Sequence, residues 1–554
     1  MNPDGLRERI DRIMRDFVGI YSPTGTAKER SVESFYGEWF KSVEYFRSHA
    51  DQAGFFEIPG DCLGRVIPWC LLKGSGDGAV VLLHHYDVVD TGDYKALSDL
   101  ATKPNEIMDA FRAGKIELDE ESSRDLESGD WIFGRGTADM KGGAAIQMAL
   151  VERYAALSAC GDLRGNIVLI GLPDEENLSS GGRAAPLLLK KLKDQYGLKY
   201  LLAFNAEPTD RVLGENRPKI HVSSIGKVMP LIFARGTLSH AGMVYEGLNP
   251  IRIMSEVVGK LDLNASFIEK DGLVSSPAST FLFLKDRKNI YDVSLPMYAS
   301  GYMNVMFINN SVEWIMKFIR EKCAEAFSSA IADVQKSCDA YTGVSGHARR
   351  QLPWRVNVKF YSELYADADR DSGGKSKAGL AGVISELRQR ITAGEISLVE
   401  ASHVVIEKTL SYVTDISPVI VIALIPPYYP YAASAMLGEG ADKANEVCDG
   451  VIERAKEKYG DEHVRHCMVG MSDLSYFIQR PHSADNDYIK ENMLLWKDIY
   501  DIPFDEIAEV SMPVLNIGPW GKDIHKYTER VFSPDLYART PDLISFAVDK
   551  ILSF

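Results

Sequence analysis

The amino-acid sequence predicts an α/β protein built on a mostly parallel sheet, interrupted by a second, α+β unit. Three observations predict it. Short apolar runs at 80–83, 167–170 and 200–204 alternate with long helical patterns at 140–159 and 184–196, the rhythm of strand–helix–strand units. After Arg211 the texture changes to a β-α-β-α-β grouping that ends in the apolar strand 419–425 and Pro426-Pro-Tyr-Tyr-Pro. An apolar strand at 514–517 then resumes the first pattern. The expected organisation is one domain in two parts, 1–215 and 430–554, with an inserted domain at 216–429.

Each element has its own signal. Ile10, Ile13, Met14 and Phe17 repeat at helical spacing, and a second helical pattern runs over 28–46. Residues 91–130 are polar and acidic, as in Glu117-Leu-Asp-Glu-Glu-Ser-Ser, and read as a partly helical surface excursion outside the core. In the inserted domain a strand-like run spans 220–233, a helix 250–261, a strand 302–308 and a long helix 312–334. Helical stretches at 376–391 and 396–413 follow, and the C-terminal part adds a helix at 440–458 and a terminal one.

Composition narrows the function classes. The chain has 554 residues, 45% hydrophobic and 25% charged, as in ordinary globular proteins. A net charge of −16 argues against nucleic acid or an anionic membrane surface as the main partner. No run of about 18 apolar residues appears, so no membrane span is expected. The first residues lack an apolar signal-peptide core, and seven cysteines form no CxxC pair. A cytoplasmic protein without a disulfide framework is the expectation.

The chemistry lies where acids and histidines fall. Ligands of open α/β sheets bind beyond the carboxyl ends of the strands. His85-Tyr-Asp87 follows the first apolar run, Asp174-Glu175-Glu176 the second, and Glu207-Pro-Thr the third. His525 follows the last run after a Gly/Pro-rich loop, and Asp139 lies in Gly134-Arg-Gly-Thr-Ala-Asp-Met-Lys-Gly-Gly before a helix. Two imidazoles and three carboxylates can hold two divalent cations if one carboxylate bridges. A carboxylate outside the ligand set must take a water's proton, and the Glu175-Glu176 pair can supply one ligand and one base. Asp87 is placed to accept the other N–H of His85. Asp139 also suits a helix N-cap. His84 faces the other side of its strand by alternation. Gly134-x-Gly-x-x-Asp lacks the third glycine of a dinucleotide loop. His49, His221, His347, His403, His463, His466 and His482 lie outside motifs, and Tyr428, Tyr429 and Trp520 read as packing residues.

The motifs His85-x-Asp-Val-Val, Gly134-Arg-Gly-x-x-Asp139-Met-Lys-Gly-Gly, Asp174-Glu-Glu, Glu207-Pro-Thr and His525-x-x-x-Glu529 span nearly the whole chain. Together the set resembles the co-catalytic zinc peptidases and deacylases of the aminoacylase, carboxypeptidase G, succinyl-diaminopimelate desuccinylase and tripeptidase family. Trp131-Ile-Phe-Gly-Arg-Gly-Thr, Ser224-Ile-Gly-Lys-Val, Ser472-Asp-Leu-Ser-Tyr and Asn516-Ile-Gly-Pro-Trp-Gly-Lys-Asp-Ile-His are similar to the arginine-utilisation (RocB) subgroup.

The resemblance implies a zinc-peptidase catalytic domain in which Asp139 bridges two metals. His85 and Glu207 would complete one site, and Glu176 and His525 the other. Glu175 would be the general base, Asp87 would orient His85, and the peptide after Asp139 would be cis. The metals would be zinc, with manganese or cobalt as alternatives. The inserted domain would be the family's lid and homodimer surface. His240, in Ser239-His-Ala-Gly, would reach the scissile carbonyl oxygen from its own or a partner subunit. One departure stands out: where many members carry a carboxylate-gripping arginine after the second lid strand, this sequence has Asn309-Asn310. The implied activity is hydrolysis of an N-acyl amino acid or small peptide by metal-activated water, in arginine or amino-acid catabolism. A dipeptidase or aminopeptidase is the alternative within the family. A non-catalytic metal-binding protein is the alternative of another class, opposed by the presence of Glu175 and all five ligands.

Overall fold

The computed structural model describes residues 3–211, 217–271, 274–288, 290–470, 472–479 and 484–554. The chain forms two compact units, one of Met1–Ser224, Pro430–Pro481 and Ile502–Phe554, the other of Ile225–Tyr429 and His482–Asp501. The boundary expected at 215/216 falls outside the described residues, as does His482.

The first unit is the expected α/β domain. Its sheet runs Ala53–Glu57, Val66–Leu72, Arg164–Leu172, Ser75–His85, Lys199–Asn205, Val514–Asn516, Lys219–Ser224 and Ala432–Ala433, with Val464–Met468 also paired to Lys219–Ser224. The four strands from Arg164–Leu172 to Val514–Asn516 are mutually parallel, with Val81 opposite both Val168 and Ala203. Val80 to Leu83 are fully buried because helices cover both faces, which is why these strands read as unbroken apolar runs. The helix Lys141–Cys160 is buried on all sides over 141–151. The helix Pro3–Val18 packs against it through the Ile10, Ile13, Met14 and Phe17 stripe, all buried.

The second unit is α+β. Its sheet runs Thr280–Asp286, Tyr298–Phe307, Gly226–Arg235, Val419–Tyr429, Val358–Phe360. The helices Pro250–Leu261 and Val312–Ser345 pack on each other. Among the described residues no helix is long and apolar enough to cross a membrane, and all seven cysteines are free.

Three readings are corrected. The run 220–233 is two strands in two sheets, Lys219–Ser224 and Gly226–Arg235. No proline or turn cluster separates them: Ile220 and Val222 alternate with polar residues and run through Ser224-Ile-Gly into the apolar stretch 228–233, so the residue pattern does not register the change of sheet. Residues 484–501, assigned from sequence to the C-terminal part of the first domain, group with the second unit, where the Leu494 N–H donates to the Leu424 carbonyl at 2.9 Å. Residues 91–130 are not merely surface. Tyr94, Ala101, Ile107, Phe111 and Leu126 form a small core of their own with Trp131 and Phe133. Spaced among many charges, these apolar residues are too dilute to show in a hydropathy window.

His403, given no role from sequence, is buried in the second unit between the rings of Phe233 and Phe283, with Glu400 3.5 Å from its Nδ1. Burial, aided by the Arg287 cation and opposed by Glu400, lowers its pKa to about 4. The unfolded chain therefore binds a proton below about pH 6.5 that the folded chain refuses, so this contribution to stability is lost as pH falls from there toward 4. His403→Phe should remove that dependence. The stability of the variant relative to wild type, followed by thermal unfolding, should rise by up to about 3 kcal/mol between pH 7 and pH 4. A constant difference across that range would remove His403 from the acid response.

Candidate metal centre

The four parallel strands deliver the motifs side by side. His85 ends its strand and pairs with Leu172, so the acidic turn 174–176 leaves the neighbouring strand at the same level. Glu207 follows Asn205 on the other neighbour, and the loop bearing His525 leaves Val514–Asn516. Asp139 enters from the turn between the strand Trp131–Phe133 and the helix Lys141–Cys160, and the Asp139–Met140 peptide is cis. Glycine permits this convergence. A Cβ on Gly143 would lie 2.1 Å from the Ala206 carbonyl oxygen, so only glycine lets the helix start this close to the strand end bearing Glu207. A Cβ on Gly518 would lie 1.8 Å from the Glu207 carbonyl oxygen, which keeps the His525 loop flush against the same strand.

The side chains form two groups that share Asp139. His85 Nε2 is 3.0 Å from Asp139 Oδ1 and 3.5 Å from Glu207 Oε1. His525 Nε2 is 3.3 Å from Asp139 Oδ2 and 2.9 Å from the Glu176 carboxylate. Each oxygen of Asp139 thus serves a different imidazole. Glu175 stands outside both groups, and its Oε1 is buried with no hydrogen-bond partner. Asp87 is buried beneath the acidic turn. Its Oδ1 and Oδ2 accept the Glu175 and Glu176 N–H groups at 3.1 Å each. His85 Nδ1 is 3.1 Å from the Asp87 carbonyl oxygen and 3.5 Å from its carboxylate, so Asp87 steadies both the imidazole and the turn.

The charges are strongly coupled. Burial lifts Glu175 well above the usual carboxylate range and Glu207 to about 7. Burial works the other way on Asp139 than its two imidazole partners do, and the imidazoles prevail, holding it far below its ordinary value. Hydrogen bonds to Asp139 and Glu176 raise His525 to about 10. Burial opposes a charge on His85, yet the Glu207 charge and bonds to Asp139 and Asp87 keep its pKa well raised. The carboxylates thus favour positive charge at both imidazoles, the charge divalent ions would supply instead. Nitrogen and oxygen donors in this arrangement suit zinc-type ions. Their uptake must expel protons and weaken in acid.

His240 lies in the second unit as the exposed N-cap of Ala241–Met243, its Nδ1 accepting the Gly242 N–H at 3.0 Å. Where an arginine is usual, the N–H groups of Ile308, Asn309 and Asn310 instead bind the Glu269 carboxylate at 3.1, 2.7 and 2.9 Å. His84 faces away from the cluster side of its strand and is held by Tyr36 and Gln147 at 2.6 and 2.9 Å.

Two supports of the site have no role assigned from sequence, although Glu529 stands in the His525-x-x-x-Glu529 motif. Glu529 is fully buried. Its Oε1 accepts the N–H groups of Gly136, Ala138 and Asp139 at 2.8, 3.3 and 3.2 Å, and its Oε2 pairs with Arg135 at 2.6 Å. Its spacing after His525 was the available signal. Arg65 binds Asp174, Glu29 and Asp61 at 2.8, 2.9 and 2.7 Å and so pins the acidic turn, where Asp174 has φ 68°. No local pattern announces it, because its partner Asp174 is remote in sequence.

Known proteins share this architecture. The description Peptidase family M20/M25/M40 matches residues 82–489. Uncharacterized protein YqjN of Bacillus subtilis (strain 168) is 31% identical over 552 residues, covering 99% of this chain and 97% of that protein. Protein RocB of the same organism is 26% identical over 550 residues, covering 98% and 94%. The M20 family metallo-carboxypeptidase Sso-CP2 from Sulfolobus solfataricus has the same fold, with a TM-score of 0.53 at 11% identity over 98% of this chain and 99% of that one. The protein is thus a hydrolase of the metallopeptidase class, acting on amide bonds. The chain belongs to peptidase family M20/M25/M40.

Proposed function

We propose that the chain hydrolyses the amide bond of an N-acyl amino acid or small peptide in the cytoplasm, using two divalent cations, zinc first and manganese or cobalt as substitutes. The observation that carries this reading is the division of Asp139, one oxygen toward His85 and the other toward His525. His85 and Glu207 would hold one cation, Glu176 and His525 the other, with Asp139 common to both. Two such cations would acidify a water and accept the charge that develops on the amide oxygen. Glu175 takes the water's proton and returns it to the leaving amine, so that nitrogen departs neutral. Asp87 holds the Glu175 backbone in place for that transfer. The inserted unit is the proposed lid and dimer surface, and His240 the proposed donor to the substrate's amide oxygen. The glutamate at 207 resembles the deacylase and carboxypeptidase branches more than the aminopeptidase and dipeptidase branches, which supports deacylation, and the RocB likeness supports a place in amino-acid catabolism that includes arginine.

The test is amine release from a panel of N-acyl amino acids and dipeptides, arginine-containing members included. Chelator-stripped protein should be inactive, and zinc, manganese or cobalt should restore it, best on the N-acyl members. Turnover of dipeptides alone would move the protein to the dipeptidase branch. Full activity after exhaustive chelation would end the two-cation reading.

A further inference from the structure

Segment 91–130 has no part in the chemistry above, yet with the adjoining Trp131 it touches the loop that carries His525 on both sides of the histidine. It forms the helices Pro104–Arg112 and Glu120–Ser128 around its own small core. Ahead of His525, Trp520 packs on Trp131 with ring centroids 4.7 Å apart, and Lys522 Nζ binds Asp125 at 2.8 Å and Glu121 at 2.7 Å. Beyond His525, the Tyr527 hydroxyl donates to the Glu117 carbonyl at 2.9 Å. Arg530, almost fully buried, donates from Nε to Asp125 at 2.7 Å and from a terminal nitrogen to Asp523 at 2.5 Å. Asp125 therefore grips the loop on both sides of the histidine.

The loop needs such a grip. Asp523 and His525 have φ of 52° and 68°, in the left-handed region that non-glycine residues occupy only when their surroundings impose it. The His525 side chain is 49% exposed, against 1% for His85, 11% for Asp139 and 5% for Glu176. His85, Glu176 and Glu207 are set by packing just beyond strand ends, and Asp139 by the turn that Glu529 clasps. His525 is set by the conformation of its loop, and that conformation by what the loop rests on.

We propose that segment 91–130 is a brace for His525, and that Asp125 is a positioning residue for the Asp139–Glu176–His525 group. The inference rests on the two-cation reading. It assigns this segment a defined consequence: the cation held by His525 depends on it, while the cation held by His85 and Glu207 does not.

The test is titration of cation-free protein with cobalt alone, read by calorimetry and by the visible absorption of bound cobalt. Wild type takes up two ions. Asp125→Ala keeps the first affinity and weakens the second by about 10–100-fold, the usual cost of losing a partner that orients a ligand. Asp125→Glu, which restores a carboxylate, recovers part of the loss. Tyr527→Phe removes one hydroxyl and weakens the second ion alone by a smaller factor. Unchanged second-ion affinity in Asp125→Ala overturns the brace, and so does an equal loss at both sites, which marks general destabilisation. Should Asp125→Ala not fold, Tyr527→Phe is judged by the same criterion. A wild type that takes up fewer than two ions overturns the two-cation reading, and the brace with it.

Discussion

Glu175→Gln should lower kcat by about a thousandfold while both cations remain bound. Glutamine matches the glutamate in shape but cannot receive a proton. Its backbone N–H still reaches Asp87, so the acidic turn stays in place and Glu176 keeps its position 2.9 Å from His525. The loss should fall on kcat with little change in KM, because Glu175 belongs to neither ligand group. Steady-state kinetics and metal content on the same preparation check this. A variant that keeps its kcat removes Glu175 as the base. One that loses a cation makes Glu175 a ligand instead.

Glu529→Ala should do damage of another kind. It strips one acceptor from three N–H groups, including that of Asp139, and leaves Arg135 buried with Asp93 as its remaining carboxylate, 3.0 Å away. Breaking a buried ion pair by removing one partner costs about 3–5 kcal/mol. Because the freed turn carries the residue shared by both groups, affinity should fall for both cations. This differs from Asp125→Ala, whose effect is confined to one. Glu529→Gln retains an acceptor for the N–H groups and should lose less of both properties. Denaturant unfolding and cation titration together decide. Unchanged stability with unchanged affinity would remove Glu529 as the clasp of the Asp139 turn.

Much of the architecture was legible because local signals and tertiary demands agree. A strand buried on both faces must be apolar throughout, and 80–83 and 167–170 are. The stripe from Ile10 to Phe17 is helical in period because one helix face meets Lys141–Cys160. The helix expected over 250–261 is Pro250–Leu261, where Asn249 and Pro250 supply an N-cap and a preset first turn. The strand expected over 302–308 is Tyr298–Phe307, a boundary error where the chain alternates rather than breaks. The edge strand Thr280–Asp286 has no counterpart in the sequence reading, although its run Phe281-Leu-Phe-Leu is as apolar as 80–83; here Leu282 and Leu284 are exposed.

By itself the sequence determined the α/β class, the place of the ligand candidates just after apolar runs, and the chemical kinds of those candidates. These are properties of residue type and spacing, which physical chemistry reads locally. Only the tertiary structure decided that Asp139 divides its oxygens between His85 and His525, that Glu529 holds the Asp139 turn and that Arg65 holds the acidic turn 174–176. It alone showed that a polar excursion carries a core and grips the His525 loop through Asp125. Those facts depend on which remote segments meet, and a contact such as Asp125 with Arg530 leaves no mark on the residues near either partner.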